Sequence, residues 1–226
     1  MALNLNTFKT RTLTAIVFAV IMLLGLLVNS VFFTSLFLII MAGCLWEFVK
    51  IVNLITVRQK PIFILLGVPY ILFPIYELIY LGTHTIEGNQ LFSPLIPCGI
   101  IFSIWINDTA AYLVGSFIGK TPLTKISPKK TWEGTIGGIL ICISLVTILG
   151  ANITIAKELA WQHWMTIAAI CGVFGTFGDL LESKLKRSAN LKDSGQIMPG
   201  HGGFLDRFDS LLIAVPFVWL YIKIIL

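Results

Sequence analysis

Residues 135–156 read TIGGILICISLVTILGANITIA, 22 positions without a charge. A helix needs about 20 apolar residues to cross the hydrocarbon core of a bilayer, and this run has that length and character. Residues 13–28, LTAIVFAVIMLLGLLV, have the same character. Over all 226 residues, 57% are hydrophobic and 12% charged, and mean hydropathy is +0.91. Soluble domains carry about a quarter charged residues, so a water-facing surface cannot be built from this composition. The sequence therefore predicts an all-α, polytopic transmembrane helical bundle. It forms a single integral membrane domain over 1–226, with N-terminal hydrophobic spans in 1–90 and the chemistry in 91–226.

Seven spans are expected, near 12–28, 31–49, 61–82, 91–118, 135–156, 164–182 and 203–226. Leu13 to Trp46 as one helix would be about 50 Å long against a core of about 30 Å, so two spans turning at Asn29 and Ser30 fit better. Charge supports this division. With the N-terminus cytoplasmic and every span crossing, all the Lys and Arg residues from Lys50 to Lys130 and from Lys184 to Arg207, Lys157 aside, fall on the same side as Lys9 and Arg11. Only Lys157 and Lys223 fall outside, as the positive-inside rule asks. A six-span chain would put Lys9 and Arg11 on the wrong side. The balance of 16 basic against 11 acidic residues thus marks orientation, and no nucleic-acid partner is expected. The first apolar run is followed at Asn29 and Ser30 by another, so no cleavable signal peptide is expected. Cys44, Cys98, Cys142 and Cys171 sit in apolar runs without metal-binding spacing and read as buried thiols. Ala111, Gly115, Gly119, Gly134 and Gly138 have the four-residue spacing that lets helix backbones approach closely.

Charges in spans are costly, so their positions are informative. Of the 11 acids, Asp108, Glu133, Asp179, Glu182, Asp193, Asp206 and Asp209 gather at the cytoplasmic ends of spans four to seven. Glu47 and Glu77 lie in earlier spans, and Glu87 and Glu158 outside. In GDLLESKLKR, helical spacing puts Asp179, Glu182, Ser183 and Lys186 on one face; in GHGGFLDRFDS, Asp206, Asp209 and Ser210 share a face. Two such faces suit a hard cation such as Mg²⁺, which takes one or two carboxylates and completes its shell with phosphate and water. A plainer reading makes Glu182 and Lys186, or Asp206 and Arg207, structural ion pairs. Between the faces, Gly200, Gly202 and Gly203 bring backbone N–H groups toward the start of the last span, a favourable place for an anion. Lys184, Lys186, Arg187 and Lys192 add charge for phosphate oxygens. His201 either donates to a phosphate, shuttles a proton or braces the glycine loop. KISPKKTWEGTIGG adds Ser127, Lys129, Lys130, Thr131 and Glu133. GSFIGKT, residues 115–121, is one residue short of Walker A spacing and ends an apolar helix, so it is no P-loop.

The stretch SKLKRSANLKDSGQIMPGHGGFLDRFD, residues 183–209, resembles the signature of the phosphatidate cytidylyltransferases, or CDP-diacylglycerol synthases. Ser183, Lys186, Arg187, Lys192, Asp193, Gly195, Pro199, His201, Gly202, Gly203, Asp206, Arg207 and Asp209 stand in the order and spacing of that signature. NDTAAYLVGSFIGK with KISPKKTWEG, and GTFGDLLES, are similar too, so the likeness covers roughly the C-terminal half. Met198 and Ala110 depart from the residues frequent at their positions, and the chain is shorter than most members. The resemblance implies transfer of the cytidylyl group of CTP to phosphatidic acid, releasing pyrophosphate. It further implies Mg²⁺ on Asp179 and Asp206, with Asp209 and Asp193 as further ligands or their partners. Lys186, Arg187, Lys192, Lys129 and Lys130 would bind the triphosphate and the phosphatidate headgroup, with Gly202, Gly203 and Arg207 in the same loop and Asp108 and Ser183 lining the site. Membrane lipid surrounds such a protein, the cell membrane is its expected location, and a homodimer is left open.

Three other functions compete. A CTP-dependent kinase of a lipid alcohol would transfer the terminal phosphoryl group instead. An ion-coupled transporter would use Glu47, Glu77 and Asp108, but repeated halves are not evident. A CDP-alcohol phosphotransferase would resemble a DGxxAR motif, which is not in the sequence.

Overall fold

A computed structural model describes residues 5–55, 60–84, 92–197 and 202–226, with residues 5–11 and 60 described by backbone alone. Among the described residues are seven α-helices: α1 Leu5–Leu27, α2 Ser30–Leu54, α3 Lys60–Thr83, α4 Leu95–Ile118, α5 Trp132–Asn152, α6 Trp161–Ser188 and α7 Leu205–Ile225. Each lies on one of the expected spans. Within lipid the backbone must satisfy its own hydrogen bonds, which is why the apolar runs become helices even across Pro69, Pro74 and Pro216. Helices α2 to α7 are long and apolar enough to cross a membrane, which makes this an integral membrane protein; the described apolar part of α1, Thr12–Leu27, is shorter.

The turn at Asn29 is real. Its side chain accepts the N–H of Phe32 at 2.9 Å, capping α2, and the chain folds back so that Gly25 packs against Leu36. The fifth span ends earlier than its hydropathy suggests. After Asn152 a 3-10 turn, Ile155–Glu158, intervenes, held by the Trp164 indole N–H on the Ala156 carbonyl at 2.9 Å. Helix α6 runs six residues past its expected end at 182, to Ser188, so Ser183, Lys186 and Arg187 ride on a rigid helix.

The tightest packing lies in α4 to α7. A Cβ on Gly138 would stand 2.9 Å from the Ala111 Cα, and one on Gly134 2.9 Å from the Gly115 Cα, so α4 and α5 touch backbone to backbone. That is the close approach which the small-residue spacing predicts. Gly178 on α6 lies as tightly against the α7 backbone at Asp209 and Ser210. One end of the bundle carries Tyr80, His84, His163, Tyr221 and Lys223, with His163 Nδ1 2.8 Å from the Tyr221 hydroxyl. The opposite end carries Asp179, Glu182, Asp206 and Asp209 and most of the lysines.

Candidate active site

Gly178 places its neighbour. Because α6 and α7 touch there, Asp179 on α6 and Asp209 on α7 face each other one turn above Glu182. One carboxylate oxygen from each of Asp179, Glu182 and Asp209 lies within 4.8 Å of the other two. Glu182 is 2% exposed, and its Oε1 has no hydrogen-bond partner among the described residues. Three crowded carboxylates, one with a buried and unpartnered oxygen, form a hard-oxygen donor set of the kind that holds a divalent cation. Ser183 donates its hydroxyl to Asp179 Oδ1 at 3.4 Å.

Two lysines flank the acids. Lys186 Nζ lies 2.5 Å from Glu182 Oε2 and 2.5 Å from Asp206 Oδ1, so the plain ion-pair reading of Glu182 and Lys186 describes a real contact, and Asp206 pairs with Lys186. Lys130, from the loop before α5, pairs with Asp179. Burial holds the Lys130 ammonium below its ordinary value, with Lys186 acting in the same direction and Asp108 and Asp209 opposing. Lys130 and Asp179 line a polar cavity of about 620 Å³ together with Asp108, Ser127 and Lys129. The turn that carries the lysines is fixed at both ends: the Thr131 hydroxyl oxygen accepts the Gly134 N–H at 3.1 Å, and Glu133 accepts the N–H groups of Lys120 and Thr121, each at 3.2 Å. The GKT of GSFIGKT is clipped to a helix start in this way and cradles no phosphate.

In the loop before α7, Asp206 takes up N–H groups of the described residues. Asp206 Oδ2 accepts from the Ser194 N–H at 2.8 Å and the Gly203 N–H at 2.9 Å, and the Ser194 hydroxyl, whose one proton it shares with Glu47, lies 3.0 Å away. With Lys186 on its other oxygen, Asp206 is enclosed by protein donors, and it is Glu182 that stands with Asp179 and Asp209, where the resemblance implied Asp206. The reason is helical position: Asp206 lies in the first turn of α7, where it reaches back to the loop, and Asp209 lies one turn deeper. The Gly203 N–H is likewise engaged by Asp206. Gly202 has φ +84°, a conformation that favours glycine, and a side chain there would meet Asp206.

Sequence reasoning missed Glu47. It sits on α2, 1% exposed, and accepts the Ser194 hydroxyl at 2.7 Å, the Phe204 N–H at 3.0 Å and the Leu205 N–H at 2.9 Å. Gly195 and Gly203 press against the same carboxylate. The first donors of α7 are thus satisfied from another helix. The only signal in the sequence was a carboxylate in an apolar span.

Other expected residues lie further out. Arg187 is exposed and donates from Nη1 to the Leu191 carbonyl at 2.6 Å. Lys192, Asp193 and Arg207 are exposed. His201, with Met198, Pro199 and Gly200 and likewise Arg58 and Glu87, lies outside the described residues.

The fold and site define a polytopic membrane protein with an acidic and cationic centre at one end of its bundle. Residues 62–225 match the model of the cytidylyltransferase family, and the chain belongs to that family. It is similar to a phosphatidate cytidylyltransferase of Bacillus subtilis, 47% identical over 117 residues, which cover 51% of this chain and 43% of the relative. A Synechocystis phosphatidate cytidylyltransferase is 42% identical over 127 residues, 54% of this chain and 41% of the relative. The chloroplastic phosphatidate cytidylyltransferase 5 of Arabidopsis thaliana is 44% identical over 131 residues, 56% of this chain and 30% of the relative. Each match spans less than half of the relative's length.

Proposed function

We propose that this protein transfers the cytidylyl group of CTP to phosphatidic acid, giving CDP-diacylglycerol and pyrophosphate. The observation that carries the reading is the polar cavity where Lys129, Lys130 and Asp108 meet Asp179, itself part of the acidic cluster. A phosphatidate oxygen is already anionic at neutral pH and attacks the α-phosphorus of CTP without needing a strong base. The new P–O bond forms as the bond between the α-phosphorus and the bridging oxygen breaks, and pyrophosphate leaves with the electron pair. Positioning and charge neutralisation therefore supply most of the catalysis.

Lys129 and Lys130 hold the triphosphate, with Asp179 orienting Lys130. Asp179, Glu182 and Asp209 would hold Mg²⁺, which when bound neutralises the crowded phosphates and charge on the leaving group. Asp206 holds Lys186 and the loop in place next to them. The exposed Arg187, Lys192 and Arg207 attract anionic substrates to this end of the bundle, and the distribution of Lys and Arg supports an orientation with this end in the cytoplasm.

The deciding experiment incubates purified protein in lipid with Mg²⁺, phosphatidic acid and CTP labelled separately at the α and γ phosphates. The α label is expected in CDP-diacylglycerol and the γ label in pyrophosphate. Transfer of the γ label to lipid would identify a kinase instead and overturn the reading.

A further inference from the structure

A groove of about 450 Å³ runs between α2, α3 and α6 on the far side of the acidic cluster from the polar cavity. Its walls are Phe48, Phe63, Leu66, Leu181, Leu185 and Leu205. It opens sideways to the bilayer, since Leu66 is 65% and Leu181 49% exposed. Glu182 lies at its inner wall, and Lys184 and Ser188 line it toward the end of α6.

Tyr70 also lines this groove, and its hydroxyl is buried without a hydrogen-bond partner among the described residues. An unpaired buried hydroxyl is costly, and this one stands within electrostatic reach of Glu182 and Asp209. Two other apolar grooves on the surface lack this connection. One, between α4, α5 and α6, lies by Trp164 at the opposite end; the other, against α1, is lined by none of the acids.

The two cavities meet at the cluster. Asp179 faces the polar cavity and Glu182 the apolar groove, and their carboxylates lie within 4.8 Å of each other. A nucleotide is soluble and can arrive through the polar side. A lipid phosphate must reach the same point while its chains stay in hydrocarbon, and among the described residues the groove between α2, α3 and α6 brings the exposed, apolar Leu66 and Leu181 next to Glu182.

Resting on the reaction proposed above, we propose that this groove holds an acyl chain of the phosphate-headed lipid substrate, that Tyr70 donates a hydrogen bond to its headgroup region, and that Lys184 draws the anionic head inward. Tyr70 is thus a residue that positions substrate. Helices α2 and α3 then supply one wall of the lipid half of the site and α6 with Leu205 the other, while the nucleotide half lies on the C-terminal helices alone.

The test uses the full chain in lipid nanodiscs with phosphatidate carrying a diazirine midway along one acyl chain. Photolabelling is expected to concentrate on Phe63 to Tyr70 and Leu181 to Ser188, and to be displaced by unlabelled phosphatidate. Labelling spread equally over bilayer-facing residues such as Val20, or not displaced, overturns the groove. Kinetics give a second readout. Tyr70→Phe is expected to raise KM for phosphatidate about tenfold, as loss of one good hydrogen bond does, with KM for CTP unchanged. Leu66→Trp should raise KM for a long-chain but not for a dihexanoyl phosphatidate, and Val20→Trp for neither. Equal KM for Tyr70→Phe, Leu66→Trp and the parent protein refutes the assignment. Displaceable groove labelling without cytidylyl transfer would instead remove the proposed reaction and leave the lipid site standing.

Discussion

Helices α1 to α3 and helices α4 to α7 are all largely apolar, yet at their tightest points they pack by different means. At Gly134, Gly138 and Gly178 another helix's backbone comes close, although Gly99, Gly137, Gly150 and Gly172 in the same half meet side chains; at Gly25, Gly67 and Gly82 the neighbours are the side chains of Leu36, Phe48 and Phe33. Backbone contact leaves no soft atoms to absorb an error. Side chains can change rotamer and yield, so their contacts tolerate change. The half packed on backbone holds Asp179, Glu182 and Asp209 in register, and the half packed on side chains wraps around it and contributes Glu47 as an anchor.

The largest expected effect lies within the rigid half. Asp209→Asn should lower cytidylyl transfer by roughly 10²–10³-fold, the usual result of losing one group that stabilises transition-state charge. The helical circular dichroism should stay intact, and binding of Mn²⁺ followed by electron paramagnetic resonance should weaken in parallel. Turnover near that of the parent protein would remove Asp209 from the site.

Next in size is Gly178→Ala, which sets a Cβ against the Asp209 carbonyl and must push α6 from α7. A shift of about 1 Å in a catalytic constellation can lower turnover about 100-fold. Gly25→Ala meets only Leu36 side-chain atoms and should change turnover less than about twofold. Similar losses in both would break the distinction between the two kinds of packing.

Glu47 and Glu77 sharpen it further. Both are 1% exposed, but Glu47 holds three donors and Glu77 has no hydrogen-bond partner among the described residues. Glu47→Gln should destabilise the protein by about 2 kcal/mol, the scale of a hydrogen bond to a charged group. Glu77→Gln keeps the side chain's shape and breaks no such bond, so it should cost less than about 1 kcal/mol in the same thermal unfolding measurement. Among the substitutions in the charged centre, the smallest effect is expected for Arg187→Ala. Its exposed guanidinium contributes only screened attraction, so KM for CTP should rise at most about fivefold and the difference should shrink as salt is added.

Much of the fold was legible without coordinates. Hydropathy located the helices, and the length of the run from Leu13 to Trp46 against the bilayer marked the break at Asn29, whose side chain caps α2. The gathering of acids and lysines at one end followed from the cost of charge in lipid. Their pairing did not follow. Spacing put Asp206 and Asp209 on one face and could not tell that the first turn of α7 bends Asp206 back to Ser194 and Gly203, leaving Glu182 to complete the cluster. Glu47 was read only as a carboxylate in an early span, since its partners lie 147 to 158 residues further along the chain.

By itself the sequence determined a membrane bundle with its chemistry gathered at one end, and it carried the signature of a cytidylyltransferase. These properties are local: each residue's transfer free energy and its neighbours along the helix suffice to set them. The tertiary structure decided which carboxylates meet, which loop N–H groups are already engaged, and where an apolar groove reaches the polar centre. Those depend on how each helix is rotated about its axis and how closely its backbone approaches the next, and both are set by contacts between residues far apart in the chain.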